Sequence, residues 1–180
     1  MKVHKHLRFG CAVFLCAMSL VNCGTGGGGG GGDSTFVGAA ETQLEVSPSE
    51  IDTGDRTQVT VEISNVHENG IVLKIRYPKG LSYVPGSAFL EIDEDDIDIG
   101  PQKNVTKDND TYLVFFLNAG QFGTEGQGNV VFQLTGNSTI TDGLVEVDAD
   151  VNDPLVKDDA EFTVSQPEFG AEGSTEISVI

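Results

Sequence analysis

From Gln43 onward the chain alternates apolar and polar residues with a period of two, the mark of strands with one buried and one solvated face. Leu44 and Val46 begin the pattern and Pro48 stops it, so the first strand is short and its proline suits a sheet edge. Thr57 to Ser64 alternates most cleanly, with Val59, Val61 and Ile63 inward and Gln58, Thr60 and Glu62 outward. Beyond the polar turn Asn65 to Gly70, one face carries Ile71, Leu73, Ile75 and Tyr77, the other Val72, Lys74 and Arg76, until Pro78-Lys79-Gly80 ends the run. Leu81 to Val84 and Ala88 to Ile92 read as short strands around Pro85-Gly86. Ile97 and Ile99 have the opposite parity to Ile92, so the phase resets near Glu94-Asp95 through a bulge or turn.

Gly100 to Asp110 reads as polar loop, whereas Thr111 to Leu117 is apolar at both parities and predicts a strand covered on both faces. Val130, Phe132 and Leu134 point inward from the next strand. After a turn from Gly136 to Gly143, Val145, Val147, Ala149 and Val151 alternate with Glu146, Asp148 and Asp150. Phe162 and Val164 mark a last strand, Ser165 to Ser174 reads as linker, and Glu176 to Ile180 is β-prone without an evident place. About eight or nine short strands, no amphipathic helix and no repeat of solenoid length predict an all-β antiparallel sandwich.

The head of the chain has a different pattern. Met1 to Arg8 is basic, Phe9 to Val21 is apolar and uncharged, and an unbroken run of glycine spans Gly26 to Gly32. The apolar stretch is shorter than the roughly 20 residues that span a bilayer, and it has the length of an export signal's hydrophobic region. Leu20-Val21-Asn22-Cys23 resembles the lipobox of bacterial lipoproteins, with Asn22 where a small residue is usual. The resemblance implies cleavage before Cys23, acylation of Cys23 and a protein held at the cell envelope, at the outer membrane or the cell surface. Several acyl chains at about 0.8 kcal/mol per buried CH₂ make a stable anchor. A Gly-rich coil from Gly24 to Ala40 reaches roughly 20–25 Å. The expected organisation is therefore a signal peptide over 1–22, an acylated Cys and tether over 23–40, the sandwich over 41–165, and a tail over 166–180 with room for an extra strand.

Charge narrows the partners. The formal net charge is −18, and Lys2, Lys5 and Arg8 are the only charged residues before Cys23, so the remainder is three units more negative. Such a surface repels phosphate backbones and anionic headgroups, which excludes nucleic acid. Cys11, Cys16 and Cys23 all lie in the head, so the domain has neither disulfides nor thiolate metal ligands.

Four segments carry a further likeness: Gly54-Asp55 leading into Val59 to Asn65, Tyr77 to Ser87, Gly126 to Leu134, and Gly143 to Val151. In sequence they resemble the DUF11-type immunoglobulin-like domain of bacterial surface proteins, and cohesin modules share the Gly-Asp turn and the Val-alternating second strand. The resemblance implies an immunoglobulin-like sandwich and a structural or binding role.

Candidate chemistry is sparse. The one histidine beyond the head, His67, sits in a turn beside Glu68 and Asn69, without a nucleophile motif nearby. Asp148, Asp150 and Asn152 place oxygens at alternate positions as in an EF-hand loop, with Asp159 at the twelfth, and together with Asp153 make a candidate Ca²⁺ site. Asp153 replaces the glycine such a loop needs, and Pro154 follows. Glu91 to Asp98 carries six carboxylates and reads as a solvated acidic run. Lys74, Arg76 and Lys79 form a basic spot, expected to pair with neighbouring acids such as Glu62. Asn104, Asn109 and Asn137 each begin an N-x-Ser/Thr sequon. The reading these features favour is a non-catalytic, cofactor-free module presented from a membrane anchor; the alternatives are a Ca²⁺-assisted adhesin or cohesin-like module binding protein or glycan, and, third, a hydrolase with an unrecognised site.

Overall fold

The computed structural model describes residues 38–93, 95–152 and 169–180, together with the backbone pairing of 162–163 with 166–167. The export signal, Cys23, the glycine run, Glu94, Asp153 and Val164 lie outside the described residues.

Two sheets pack face to face. The first, sheet A, orders its strands β1 (Glu41–Ser47), β3 (Arg56–Ser64), β10 (Gly128–Gly136), β6 (Phe89–Ile92) and β7 (Asp95–Asp98), with β5 (Leu81–Tyr83) also paired to β10. Sheet B orders β2 (Glu50–Ile51), β14 (Gly173–Val179), β11 (Ile140–Val151), β4 (Ile71–Pro78), β9 (Asp110–Leu117) and β8 (Lys103–Lys107). A separate pair joins β12 (Phe162–Thr163) to β13 (Gln166–Pro167). All pairings are antiparallel except β2 with β14. This is the antiparallel β-sandwich expected from the alternation.

The inward parity of each strand makes the core. Val59, Val61 and Ile63 from β3 and Val130, Phe132 and Leu134 from β10 face Ile71, Leu73, Ile75 and Tyr77 from β4 and Leu113, Phe115 and Leu117 from β9. Phe115 and Phe132 meet across the sheets with ring centroids 6.1 Å apart, and Tyr83 reaches Phe132 at 6.3 Å. Fully burying an aliphatic or aromatic side chain contributes about 1.5–3 kcal/mol, so this double layer supplies the stability that a domain without disulfides needs. Tyr77 is wholly buried and burial raises its phenol pKa; no partner is found for its hydroxyl among the described residues.

Several segments depart from the expectation. Lys103–Lys107, expected as loop, is the edge strand β8; Val105 is its only apolar residue, too little for a recognisable alternation, and its partner β9 supplies the pairing. Two-residue strands such as β2 likewise add to the expected eight or nine. Glu176 to Ile180 belongs to sheet B: β14 lies between β2 and β11, with Ile177 and Val179 in the core. The phase reset after Ile92 is a tight turn, with Asp93 at a φ of 54° and Ile92 facing Asp95. Asn65, Asp108 and Asp142 also adopt positive φ, which Asn and Asp tolerate better than other residues with a side chain.

One edge of the sandwich is closed by the chain changing sheets. After β1 it turns at a cis Ser47–Pro48 bond and enters sheet B as β2. Thr175 Oγ1 donates to the Leu44 carbonyl at 2.9 Å, linking β14 to β1 across the seam. The described chain begins at the end of the sandwich that holds the β3–β4 turn, where the His67 N–H donates to the Ala39 carbonyl at 2.9 Å. Ile180 lies at the other end, bonded to Ile51 and Thr53.

Gly70 closes the β3–β4 turn at a φ of +84°, and a Cβ there would stand 2.1 Å from the Leu117 carbonyl oxygen. Both the left-handed backbone and the contact exclude a side chain. Gly70→Ala is therefore expected to lower the unfolding free energy by at least about 2 kcal/mol in urea titration. A variant within experimental error of the parent would contradict this account of the turn.

Candidate functional site: the ionic face of sheet B

Lys74 and Arg76 leave β4 on the side away from the core, and antiparallel register sets them directly opposite Asp148 and Glu146 of β11. Lys74 Nζ donates to Asp148 Oδ2 at 3.0 Å and also contacts the Asp150 carboxylate. The side chains of Lys74 and Asp148 are 3% and 6% exposed, whereas Asp150 is 48% exposed, so the pair is buried and its second acid reaches solvent. Burial pulls the Lys74 pKa down, but the hydrogen bonds and charges of Asp150 and Asp148 outweigh it and leave the pKa raised. The ammonium stays charged and neutralised in place, which removes it as a nucleophile or general base at neutral pH.

Arg76 Nε donates to Glu146 Oε2 at 2.6 Å, and the hydrogen bond to Glu146 is the main reason its pKa is raised. Its guanidinium lies 4.5 Å from the centroid of the Phe169 ring, a cation–π contact, while Phe169 meets Tyr112 edge-on at 5.9 Å. The Gly170 N–H donates to Asp148 Oδ2 at 2.9 Å, and the Glu172 N–H to the Val147 carbonyl at 2.8 Å. Residues 169–172 thus form a strap fastened to the ionic row. Beneath it, Tyr112 and Val114 are buried with Val72, Val105 and Phe116 around them, which explains why β9 is apolar at both parities.

The structure joins two groups of residues that read separately in the sequence. Lys74 and Arg76 of the basic spot pair with Asp148, Asp150 and Glu146, not with Glu62, which lies on sheet A. The acids of the candidate Ca²⁺ site are the same Asp148 and Asp150, and the cation they face is the Lys74 ammonium. Asn152 is buried and donates its backbone N–H to Gly70; Asp153 lies outside the described residues. Among the described residues no three His, Cys, Asp or Glu side chains converge as metal ligands. His67 Nδ1 accepts the Asn69 N–H at 3.1 Å, so this nitrogen serves its own turn. The strap was invisible in the sequence, since Phe169-Gly170 sits in a stretch with linker composition; the isolated aromatic was its only signal.

Sheet A carries the other notable surface. Glu41, Gln43, Glu62, Glu91, Asp93 and Asn129 line a shallow depression of about 560 Å³, in which Asn129 Nδ2 donates to Glu91 Oε2 at 3.0 Å.

No family model matches the chain, and no curated protein matches it. Among solved structures, the T6 backbone pilin of serotype M6 Streptococcus pyogenes is similar over 78% of this chain and 36% of the pilin, at 13% identity and a TM-score of 0.48. The chain therefore spans about a third of the pilin's length. A cohesin module from a Clostridium perfringens family 33 glycoside hydrolase is similar over 79% of this chain and 98% of the module, at 14% identity and a TM-score of 0.41. AvmM, which catalyses macrocyclization in alchivemycin A biosynthesis, is similar over 78% of this chain and 88% of its own, at 10% identity and a TM-score of 0.46. At such identities and scores, what these proteins assemble, bind or catalyse remains theirs alone.

Removing Lys74 leaves Asp148 buried without a counter-charge. Lys74→Met is expected to cost about 3–5 kcal/mol in denaturant unfolding, and Lys74→Met with Asp148→Leu to cost less than the single change. A single change below about 1 kcal/mol would mean that the pair is not sealed from water.

Glu172 supplies a pH dependence. Partial burial and then the charge of Asp148 raise its pKa, so its protonated form is favoured in the fold. That contribution is complete below the ordinary carboxylate pKa of about 4.3 and is lost as pH rises through the folded value. Glu172→Gln should thus raise the melting temperature at neutral pH, with the gain vanishing on acidification; a gain that persists in acid would contradict the assignment.

Proposed function

We propose that this chain is an exported lipoprotein of the bacterial cell envelope, acylated at Cys23, whose immunoglobulin-like sandwich of DUF11 type is a non-catalytic structural or binding module. The observation that carries the reading is the fate of the domain's buried and half-buried charged groups on sheet B. Lys74, Arg76, Asp148 and Glu146 are spent on one another and on the strap, as framework and not as chemistry directed at a substrate. The basic-apolar-Cys head and the glycine run support the anchor, because together they are an export address followed by a spacer. A sandwich joined to an anchor by a glycine-rich stretch suits recognition or assembly.

Two measurements test the proposal. Metabolic labelling with a clickable fatty acid should tag the parent chain and fail for Cys23→Ala, with the variant released from the membrane fraction; a label that survives the change removes the anchor. Ester, peptide and glycoside substrates should show no turnover above buffer, and turnover of any of them would replace the module with an enzyme.

A further inference from the structure

The two outer sheet faces differ in charge. On sheet B the two bases of β4, Lys74 and Arg76, pair with Glu146, Asp148 and Asp150 of β11, and the strap lies over them. Among the described residues, sheet A has no such compensation. Its register builds one cross-strand row of Gln43, Glu62, Asn129, Glu91 and Asp96 and beside it a second of Glu45, Thr60, Val131, Phe89 and Asp98. The two rows hold carboxylates from four strands and no base. The only base on any strand of sheet A is Arg56, at the far end of β3, where it donates to Gln133 Oε1 at 3.2 Å.

The face also has the layout of a protein-binding surface, not merely of a solvated one. Half-buried Phe89 lies beside buried Val131 at its centre, with exposed Glu45, Glu62, Glu91, Asp96 and Asp98 around them. Of the two, Phe89 alone offers apolar surface to a partner, and the one-signed acids around it select a partner of opposite sign. The amides of Gln43 and Asn129, interleaved with the acids, can donate to backbone carbonyls of that partner. We propose that the outer face of sheet A docks a cationic polypeptide surface, rich in lysine or arginine, across the rows that contain Glu62 and Glu91. This rests on the reading of the domain as a binding module and gives that module a face and a partner chemistry.

The test uses the full-length chain and a fluorescent decalysine peptide, with affinity read by anisotropy at about 0.15 M salt, where distant charges are screened. Glu62→Gln with Glu91→Gln is compared with Asp52→Asn with Asp108→Asn, which removes the same charge from turns away from the rows. The row variant should bind about five- to tenfold more weakly than the parent, and the turn variant within about twofold of it. Equal weakening in both variants would reduce the effect to net charge and overturn the proposal, as would a row variant that binds like the parent. Maltohexaose bound by the parent and lost by the row variant, without any change toward decalysine, would give the face to neutral glycans and likewise overturn it. None of these failures touches the module reading, which falls only to turnover in the substrate screen.

Discussion

A lysine ammonium shut between two strands is the interaction on which the outer half of this domain depends. A buried charge is tolerable only when it is paired and hydrogen-bonded, and Lys74 meets that condition through Asp148 and Asp150. The requirement then propagates. Asp148, turned toward Lys74, also accepts the Gly170 N–H, and that bond sets Phe169 over Arg76 and against Tyr112. The apolar outer surface of β9 gains its cover from the same strap. One ionic contact therefore fixes the register of β4 on β11, the course of the chain toward β14 and the burial of a second, smaller apolar cluster.

The core was legible in the sequence because period two is a strong signal wherever a strand has one wet face. Val59, Val61 and Ile63, or Val130, Phe132 and Leu134, could hardly point elsewhere. The ionic face was legible only in halves. Lys74 with Arg76 read as a basic spot and Asp148 with Asp150 as a cation site, because nothing local says that residues 74 positions apart will share a row. Strand order decides that, and it is a long-range property which alternation does not encode. Lys103–Lys107 failed for another reason: an edge strand with a single apolar residue owes its conformation to its neighbour. Glu176 to Ile180 had the right pattern but no address, since β14 completes its sheet by a parallel pairing with β2.

The contrast between the sheets also explains how so acidic a domain holds together. Where acids are buried or half-buried, on β11, each faces a base at hydrogen-bonding distance. Where acids lack bases, on sheet A, they are spread along strands that water can reach, and screening keeps their mutual repulsion small. Among the described residues, the same segregation gives the sandwich a polarity across its thickness, from a compensated face to an anionic one.

The placement of the chain's two described ends has a mechanical consequence. The chain enters beside Ala39, runs up β1 and finishes with β14 at the opposite end of the sandwich. A pull along the long axis would therefore bear on the ladders of β1 with β3 and of β14 with β11 in shear, where many hydrogen bonds must yield together, instead of peeling them one at a time. Under such a load the described sandwich would act as a stiff link.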